Sequence, residues 1–274
     1  MSMVPVHINE TATTLAFDRQ APVFDQLYRN DTIIQYKRKR VRDHMEKFLV
    51  PGSSILELNA GTGEDAVYFA GKGHHVHATD MAPGMLSVLT TKVEQHQPGG
   101  RVTTELRSFT ALKHLQQRGP YDHIFSNFAG LNCTSELTAV LDSFDTLLRP
   151  GGYVTLVLLP RFCFWEMLLL FRGKFKTAFR RFSDKNGAAA KVEGIPFRCW
   201  YYNPSFIRKH LKKTFELVAL EGLCTLVPPS YLQGFPEKHP KIYQSLVKKE
   251  NKWKANWPWT TVGDYYIITL RKKQ

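Results

Sequence analysis

Along this chain the spacing of apolar positions changes several times, and each change marks an element. Phe17, Phe24, Leu27 and Tyr28 recur at near-helical spacing, which predicts a helix with one apolar face. A second helix is predicted over Thr32 to Leu49 and carries the basic run Lys37-Arg38-Lys39-Arg40. The pattern then shortens. Ile55, Leu56 and Leu58 form a brief apolar run interrupted only by Glu57, as in a buried parallel strand. Asn59-Ala60-Gly61-Thr62-Gly63 turns the chain, since glycine permits a tight bend and close approach of a ligand. Glu64 and Asp65 open a helix, whose positive end favours acids. Ala66, Val67, Phe69 and Ala70 give that helix its apolar face, and Gly71 and Gly73 suit its end. His75 to Thr79 reads as the next strand and ends at Asp80; Arg101 to Phe109 alternates like another. Asn203-Pro204-Ser205 signals the start of a helix running to Lys213, with Asn203 or Ser205 as its cap.

Strand, glycine turn, helix, strand and terminal acid form the logic of a nucleotide-binding crossover. The ligand lies over the turn, and the acid about 20 residues on bonds the ribose hydroxyls. A dinucleotide site wants a third glycine and a helix N-terminus free for pyrophosphate. Here Gly61-Thr62-Gly63 is followed by Glu64-Asp65-Ala66, so two carboxylates stand where an anion would sit. A cationic sulfonium ligand with an amino-acid tail fits such an acidic mouth better. The stretch resembles motif I of the class I S-adenosylmethionine-dependent methyltransferases, an acid followed by three alternating glycines. Glu57 matches the acid, Asn59 the first glycine, and Gly61 and Gly63 the next two, with Ala60 and Thr62 between them. The departure is Asn59. Asn tolerates positive φ best among non-glycine residues, and its added side chain is expected to alter contact with the methionine part.

The resemblance extends downstream. It implies that Asp80 holds the ribose and Met81 lies against adenine, with Pro83 near the start of the next helix. Ser108 and Phe109 occupy the place of an acid and an apolar residue around adenine, so Ser108 is expected to bond the exocyclic amine and Phe109 to pack on the ring. Tyr121 to Asn132 resembles the fourth strand and its loop, which brings Asn127 and Phe128 to the cofactor. Leu147 to Leu159 resembles the fifth strand with its Pro-Gly-Gly turn, and Asp264 to Lys272 the final antiparallel strand. The implied fold is an α/β, Rossmann-like seven-stranded sheet of order 3-2-1-4-5-7-6, with strand 7 antiparallel and helices on both faces. The implied cofactor is S-adenosylmethionine, its product S-adenosylhomocysteine. Residues 1–50 then form an N-terminal helical cap, 51–160 the cofactor-binding core, 161–203 an insertion, and 204–274 the C-terminal part of the core. In related methyltransferases an N-terminal helix closes over the site with an aromatic residue. Tyr28 is the candidate, with packing of the cap onto the core as its alternative role.

At 274 residues with 43% hydrophobic content, the chain suits one globular domain with elaborations. No basic start with an apolar segment suggests a signal peptide, and no uncharged apolar run of about 18 residues predicts a membrane span. Cys133, Cys163, Cys199 and Cys224 are widely spaced, which favours reduced thiols in a cytoplasmic protein. The net charge of +13 and pI of about 9.6 admit a nucleic-acid surface. The excess lies in scattered clusters with no RNA-binding module, so solvated helix faces are the preferred reading. His74, His75 and His77 lack an acid or cysteine partner at ligand spacing, and no metal is predicted.

Residues 160–203 are longer than an ordinary connection. Phe162, Phe164, Trp165, Met167, Leu168 and Phe171 mix there with several cations. They are consistent with a lid over an apolar, cation-rimmed pocket, an interfacial helix touching a membrane, or an extra packed helix pair. Methyl transfer is an in-line displacement in which positioning does much of the work. No base is evident, with His123 and Tyr202 candidates by position alone. Asn127-Phe128-Ala129-Gly130 lacks the Asn/Asp-Pro-Pro-aromatic motif of nucleic-acid N-methylases; Val227 to Tyr231 has a similar composition but reads as a later loop, a candidate for the pocket lining. Cys133 reads as a buried structural thiol. The expected reaction is methylation of an oxygen or nitrogen of a small aromatic or lipophilic molecule. An RNA methyltransferase using the basic surface and a non-catalytic cofactor-binding regulator are the alternatives.

Overall fold

The computed structural model describes residues 6–96, 100–182 and 186–274. Two helices lead, α1 (Val6–Arg29) and α2 (Thr32–Met45). Alternating elements follow: β1 (Ser54–Leu58), α3 (Glu64–Gly71), β2 (His75–Asp80), α4 (Pro83–His96), β3 (Val102–Leu106), β4 (Tyr121–Ser126), α5 (Leu137–Asp142), α6 (Phe144–Leu147) and β5 (Leu148–Leu158). The insertion holds α7 (Phe164–Leu168), α8 (Phe175–Phe179) and a hairpin of β6 (Ala188–Val192) and β7 (Ile195–Cys199). The chain ends with α9 (Pro204–Leu211), β8 (Phe215–Leu223), α10 (Phe235–Lys238), α11 (Pro240–Trp253) and β9 (Tyr265–Lys272).

Seven strands form one sheet in the order β3-β2-β1-β4-β5-β9-β8. The first five pair in parallel, and β9 runs antiparallel to both β5 and β8. With the β6/β7 hairpin set aside as an insertion, this is the order expected from the sequence. Alternation along the strands builds two cores, because successive side chains leave opposite faces. Leu56, Ile124, Leu156 and Ile268 pack with Phe144 and Ile207 on one side. Ile55, Phe125, Val157 and Ile267 pack on the other with Val41 and Met45 of α2, Phe69 of α3 and Leu89 of α4. The first cap helix and the hairpin meet through Phe17 and Phe197, ring centroids 6.0 Å apart.

Three local expectations change. α2 stops at Met45, and a 3-10 turn covers Glu46–Phe48. α9 ends at Leu211, and Asn203 stands at its cap position with its Oδ1 accepting from Arg161 N at 2.9 Å instead of capping. The basic run on α2 is not a solvated face: Lys37, Arg38 and Arg40 are 1%, 7% and 4% exposed, and only Lys39 points to solvent. Arg40 reaches Glu221 at 3.1 Å and Glu250 at 3.3 Å. Glu250 of α11, fully buried, also accepts from the backbone N–H groups of Cys224, Thr225, Leu226 and Val227 and so fixes the loop after β8.

Candidate active site

Where β1, β2 and β4 end, the sheet opens into a cavity of about 310 Å³, the size of a small-molecule site. α1 and α2 roof it. Its floor is the turn after β1, which bends through positive φ at Asn59 (47°) and Gly61 (56°). Asp80 holds that turn in place: its Oδ2 accepts from Gly61 N at 2.8 Å and its Oδ1 from Ala82 N at 2.9 Å. Burial pushes the Asp80 carboxyl up, against these backbone bonds.

Glu57 is 3% exposed and lines the cavity, and its Oε2 has no hydrogen-bond partner among the described residues. Burial first, then Asp65 and Asp80, pushes its carboxyl well above the usual range, with Arg42 opposing. A buried carboxylate oxygen left unmatched is destabilising by itself. It leaves an acceptor waiting beside a ligand-sized space.

The other two acids at the mouth are matched. Asp65 takes Arg42 Nε at 2.7 Å and Asn127 Nδ2 at 2.7 Å. Glu64 takes Lys92 at 2.6 Å and Arg38 at 3.4 Å. The acidic mouth read from the sequence is therefore largely neutralised by α2 and α4, and Glu57 is the acid left with an unpartnered oxygen.

Asn59 directs its side chain away from the expected methionine contact and toward β4. Its Oδ1 accepts from Ser126 Oγ at 2.6 Å, and its Nδ2 donates to Asn127 O at 2.9 Å. A Cβ at Gly130 would lie 2.2 Å from Asn59 Cγ, so glycine at 130 makes room for the asparagine. Phe128 and Ala129 between them both have positive φ, 48° and 61°. Such strained pairs of non-glycine residues persist where the surroundings over-determine them, and here Phe128 N is held by Asn127 Oδ1 at 2.8 Å.

Lys37 lines the cavity from α2. Its Nζ donates to Ser230 Oγ at 3.2 Å and lies 4.7 Å from the Tyr265 ring centroid and 5.7 Å from that of Phe128. No carboxylate among the described residues lies within ion-pair reach of it. Ring contacts of about 0.5–2 kcal/mol each stand against a desolvation penalty of several kcal/mol for a buried ion. Burial pulls its pKa down, while the oxygens of Tyr265 and Asp264 offset this and leave it raised.

Residues 55–152 match a family model described as a methyltransferase domain, and they span this cavity's floor. The chain thus carries a methyltransferase domain on the fold of the class I S-adenosylmethionine-dependent methyltransferases. It is 28% identical to an uncharacterized methyltransferase of Synechocystis sp., over 59% of this chain and 71% of that one. It is 24% identical to an uncharacterized protein of Methanocaldococcus jannaschii, over 85% and 84%. Its fold is similar to the crystal structure of Burkholderia thailandensis 1,6-didemethyltoxoflavin-N1-methyltransferase, with a TM-score of 0.59 at 15% identity, over 100% of this chain and 93% of that one.

Of the site residues expected for a methyltransferase, Tyr28, Glu57, Asn59, Ala60, Gly61, Thr62, Asp80, Met81, Phe109, Asn127 and Phe128 line the cavity. Gly63 and Ser108 do not. Gly63, at φ 76°, is required by packing: a Cβ there would meet Leu89 Cγ at 2.3 Å. Ser108 turns away, donating to Glu10 Oε1 at 3.2 Å and accepting from Thr110 N at 3.2 Å. Neither candidate base reaches the cavity. His123 lies inside the sheet against Thr155, its pKa pushed down to about 3 by burial, and Tyr202 donates to Thr134 O. Cys133 does line the cavity; its thiol is buried beside that of Cys199, which with burial pushes its pKa up.

Among the described residues, none of the 160–203 insertion lines the cavity. Its helices are pinned to the core by Arg181, which bonds Glu166 at 2.6 Å and Asp264 at 2.7 Å. The Cys163, Glu166 and Asp264 cluster has metal-ligand chemistry, but arginines already occupy both of its acids. Sequence reasoning missed Lys37, Arg38 and Tyr265, whereas Ser230 comes from the Val227–Tyr231 loop expected at the pocket. For Lys37 a signal existed: it stands in the series Ile33, Lys37, Val41, Met45, one face of α2 whose other members are all buried.

Proposed function

We propose that this methyltransferase moves a methyl group from S-adenosylmethionine to an oxygen or nitrogen of a small molecule with an aromatic or lipophilic body. The observation that carries the reading is the unmatched Glu57 oxygen on a cavity whose floor is the Asp80-braced turn. When bound, the sulfonium supplies an activated methyl group. The chain's residues do the holding. Glu57 accepts from the ligand's ammonium. Asp80, with one backbone donor on each oxygen, keeps lone pairs for the ribose hydroxyls. Met81 and Phe109 face the adenine, and Arg38, tied to the motif helix through Glu64, takes the methionine carboxylate. Phe17, Phe24 and Tyr28 of α1 exclude water above it.

No histidine lines the cavity among the described residues. Tyr265 is pushed up to about 12 by burial even though Lys37 pulls it down, so it keeps its proton at neutral pH. Alignment of the two reactants supplies the rate, and the acceptor brings its own lone pair. A small heteroaromatic acceptor accords with the Burkholderia enzyme, whose structure holds 1,6-didemethyltoxoflavin and S-adenosylhomocysteine. The RNA alternative loses its densest basic run, since Lys37, Arg38 and Arg40 are buried.

Calorimetric titration with S-adenosylmethionine and S-adenosylhomocysteine tests the reading. Micromolar binding that weakens by about tenfold or more in Asp80→Ala is expected. Wild-type protein that binds neither compound would end it.

A second observation concerns location. Phe171, Phe175, Phe179 and Phe182 are 89%, 62%, 52% and 45% exposed on the insertion, alongside exposed Lys174 and Lys176. Aromatics rimmed by cations favour a peripheral contact with anionic lipid. Sedimentation with anionic but not zwitterionic vesicles is the expected result, and equal sedimentation with neither would reject it.

A further inference from the structure

We propose that the acceptor molecule carries an anionic group, a carboxylate or phosphate, held by Lys37 together with Ser230. This rests on the methyl-transfer reading and adds the substrate's charge to it. The argument is one of contrast within the same protein. Among the described residues four cations are nearly fully buried: Lys37, Arg38, Arg40 and Arg181. Arg38 has Glu64, Arg40 has Glu221 and Glu250, and Arg181 has Glu166 and Asp264. Lys37 alone among these has no carboxylate. The two acids that influence it are committed elsewhere: Asp264 to Arg181 at 2.7 Å, and Asp31 to the N–H groups of Ile33 and Ile34 at the start of α2. An ammonium has three donors, and Ser230 receives one of them. The space beside the others is the cavity.

The surroundings hold this arrangement in place. Ser230 follows the loop whose backbone is gathered by Glu250. Tyr265 begins β9, directly after the Asp264 that Arg181 clamps. Phe128 sits in the strained turn after β4. A merely structural lysine would need none of these and would be better replaced by an apolar residue, since an unpaired buried charge is destabilising. A charge retained facing a cavity marks a place where the missing counter-charge arrives with the ligand.

An anion could also come from the cofactor, whose methionine part has a carboxylate, so the experiment separates the two sources. Wild type, Lys37→Met and Lys37→Arg are titrated with S-adenosylhomocysteine, with 5′-methylthioadenosine, which lacks the amino-acid part, and with benzoate, benzyl alcohol and inorganic phosphate. The last three are titrated with and without S-adenosylhomocysteine. The expected result is that benzoate or phosphate binds wild type better than benzyl alcohol does. That binding weakens about tenfold or more in Lys37→Met and is largely kept in Lys37→Arg, while S-adenosylhomocysteine affinity stays within about twofold. Thermal melting of Lys37→Met at or above the wild-type temperature is expected too. The proposal is overturned if S-adenosylhomocysteine weakens tenfold in Lys37→Met with methylthioadenosine unaffected, which would place the cofactor carboxylate there. It is equally overturned if the anions bind no better than benzyl alcohol, or if Lys37→Met melts lower with anion binding unchanged. Failure of wild type to bind S-adenosylhomocysteine would defeat the methyl-transfer reading instead, and the titrations on free protein would still decide the anion site.

Discussion

The two helices that roof the cavity are attached in opposite ways. α1 rests on two small apolar clusters, Ala16 with Phe197 and Ala21 with Ala82 and Met85, and touches each rim of the site through single polar side chains. Asn9 donates to Cys133 O at 2.7 Å, Glu10 accepts from Ser108 and Thr110, Asp18 accepts from Gly84 N, and Asp25 accepts from Thr62 at 2.6 Å. Its apolar residues Ile8, Leu15, Val23 and Leu27 remain exposed. α2 is set into the core, with Ile33, Val41 and Met45 at 2%, 0% and 0% exposure and its arginines in buried ion pairs. Separable hydrogen bonds exposed at their edges open at low free energy, whereas a helix packed into the core opens only with the whole domain. Ligand entry is therefore expected beneath α1, with α2 as the fixed wall.

Removing an anchor of α2 should produce the largest effect. Glu250→Ala leaves Arg40 short of one partner and strips four backbone N–H groups of their acceptor. A loss of about 3–5 kcal/mol is expected, read by urea denaturation, together with loosening of the loop that carries Ser230.

Acid should separate the helices next. Burial alone would raise the Glu221 carboxyl, but His44, Lys254 and Arg40 hold it below its ordinary 4.5. A depressed carboxylate contributes stability above the unfolded pKa and loses it as pH falls through the folded one. Melting temperature should therefore fall on acidification below about pH 4.5, more steeply in wild type than in Glu221→Gln. Parallel acid limbs would remove α2's ion pairs from the account.

The smallest effect belongs to α1. Asp18→Ala and Asp25→Ala should each shift global stability by about 1 kcal/mol or less. Amide exchange within residues 6–29 should nonetheless accelerate, with exchange in α2 unchanged. Equal acceleration in both helices would abolish the distinction.

The sequence made the sheet order and the cavity floor legible because both are written locally. Ile55 to Asp80 encodes strand, turn and strand in one continuous stretch, and its turn residues are the ones that line the cavity floor. The wall around Lys37 was hidden because it is assembled from residues far apart in the chain. Lys37 and Tyr265 come from α2 and β9, and no local period links them to each other or to the loops that carry Phe128 and Ser230. Charge composition also misled there. A run of four cations looks like a solvated face until the partners Glu64, Glu221 and Glu250 arrive from elsewhere. Ser108 does not line the cavity, and its hydroxyl is given to Glu10 of α1, a partner 98 residues away in the chain.

The asparagine in the motif turn carries a further lesson about substitution. Asn59 fills the space that the missing Cβ of Gly130 leaves open, and its amide joins the ends of two neighbouring strands. The two positions are therefore sterically coupled. A variant that restored glycine at 59 would tolerate a side chain at 130, while either change made alone would leave a hole or a collision. Judged singly, Asn59 looks like decay of a motif; judged with its partner, it is an exchange of bulk across the crevice.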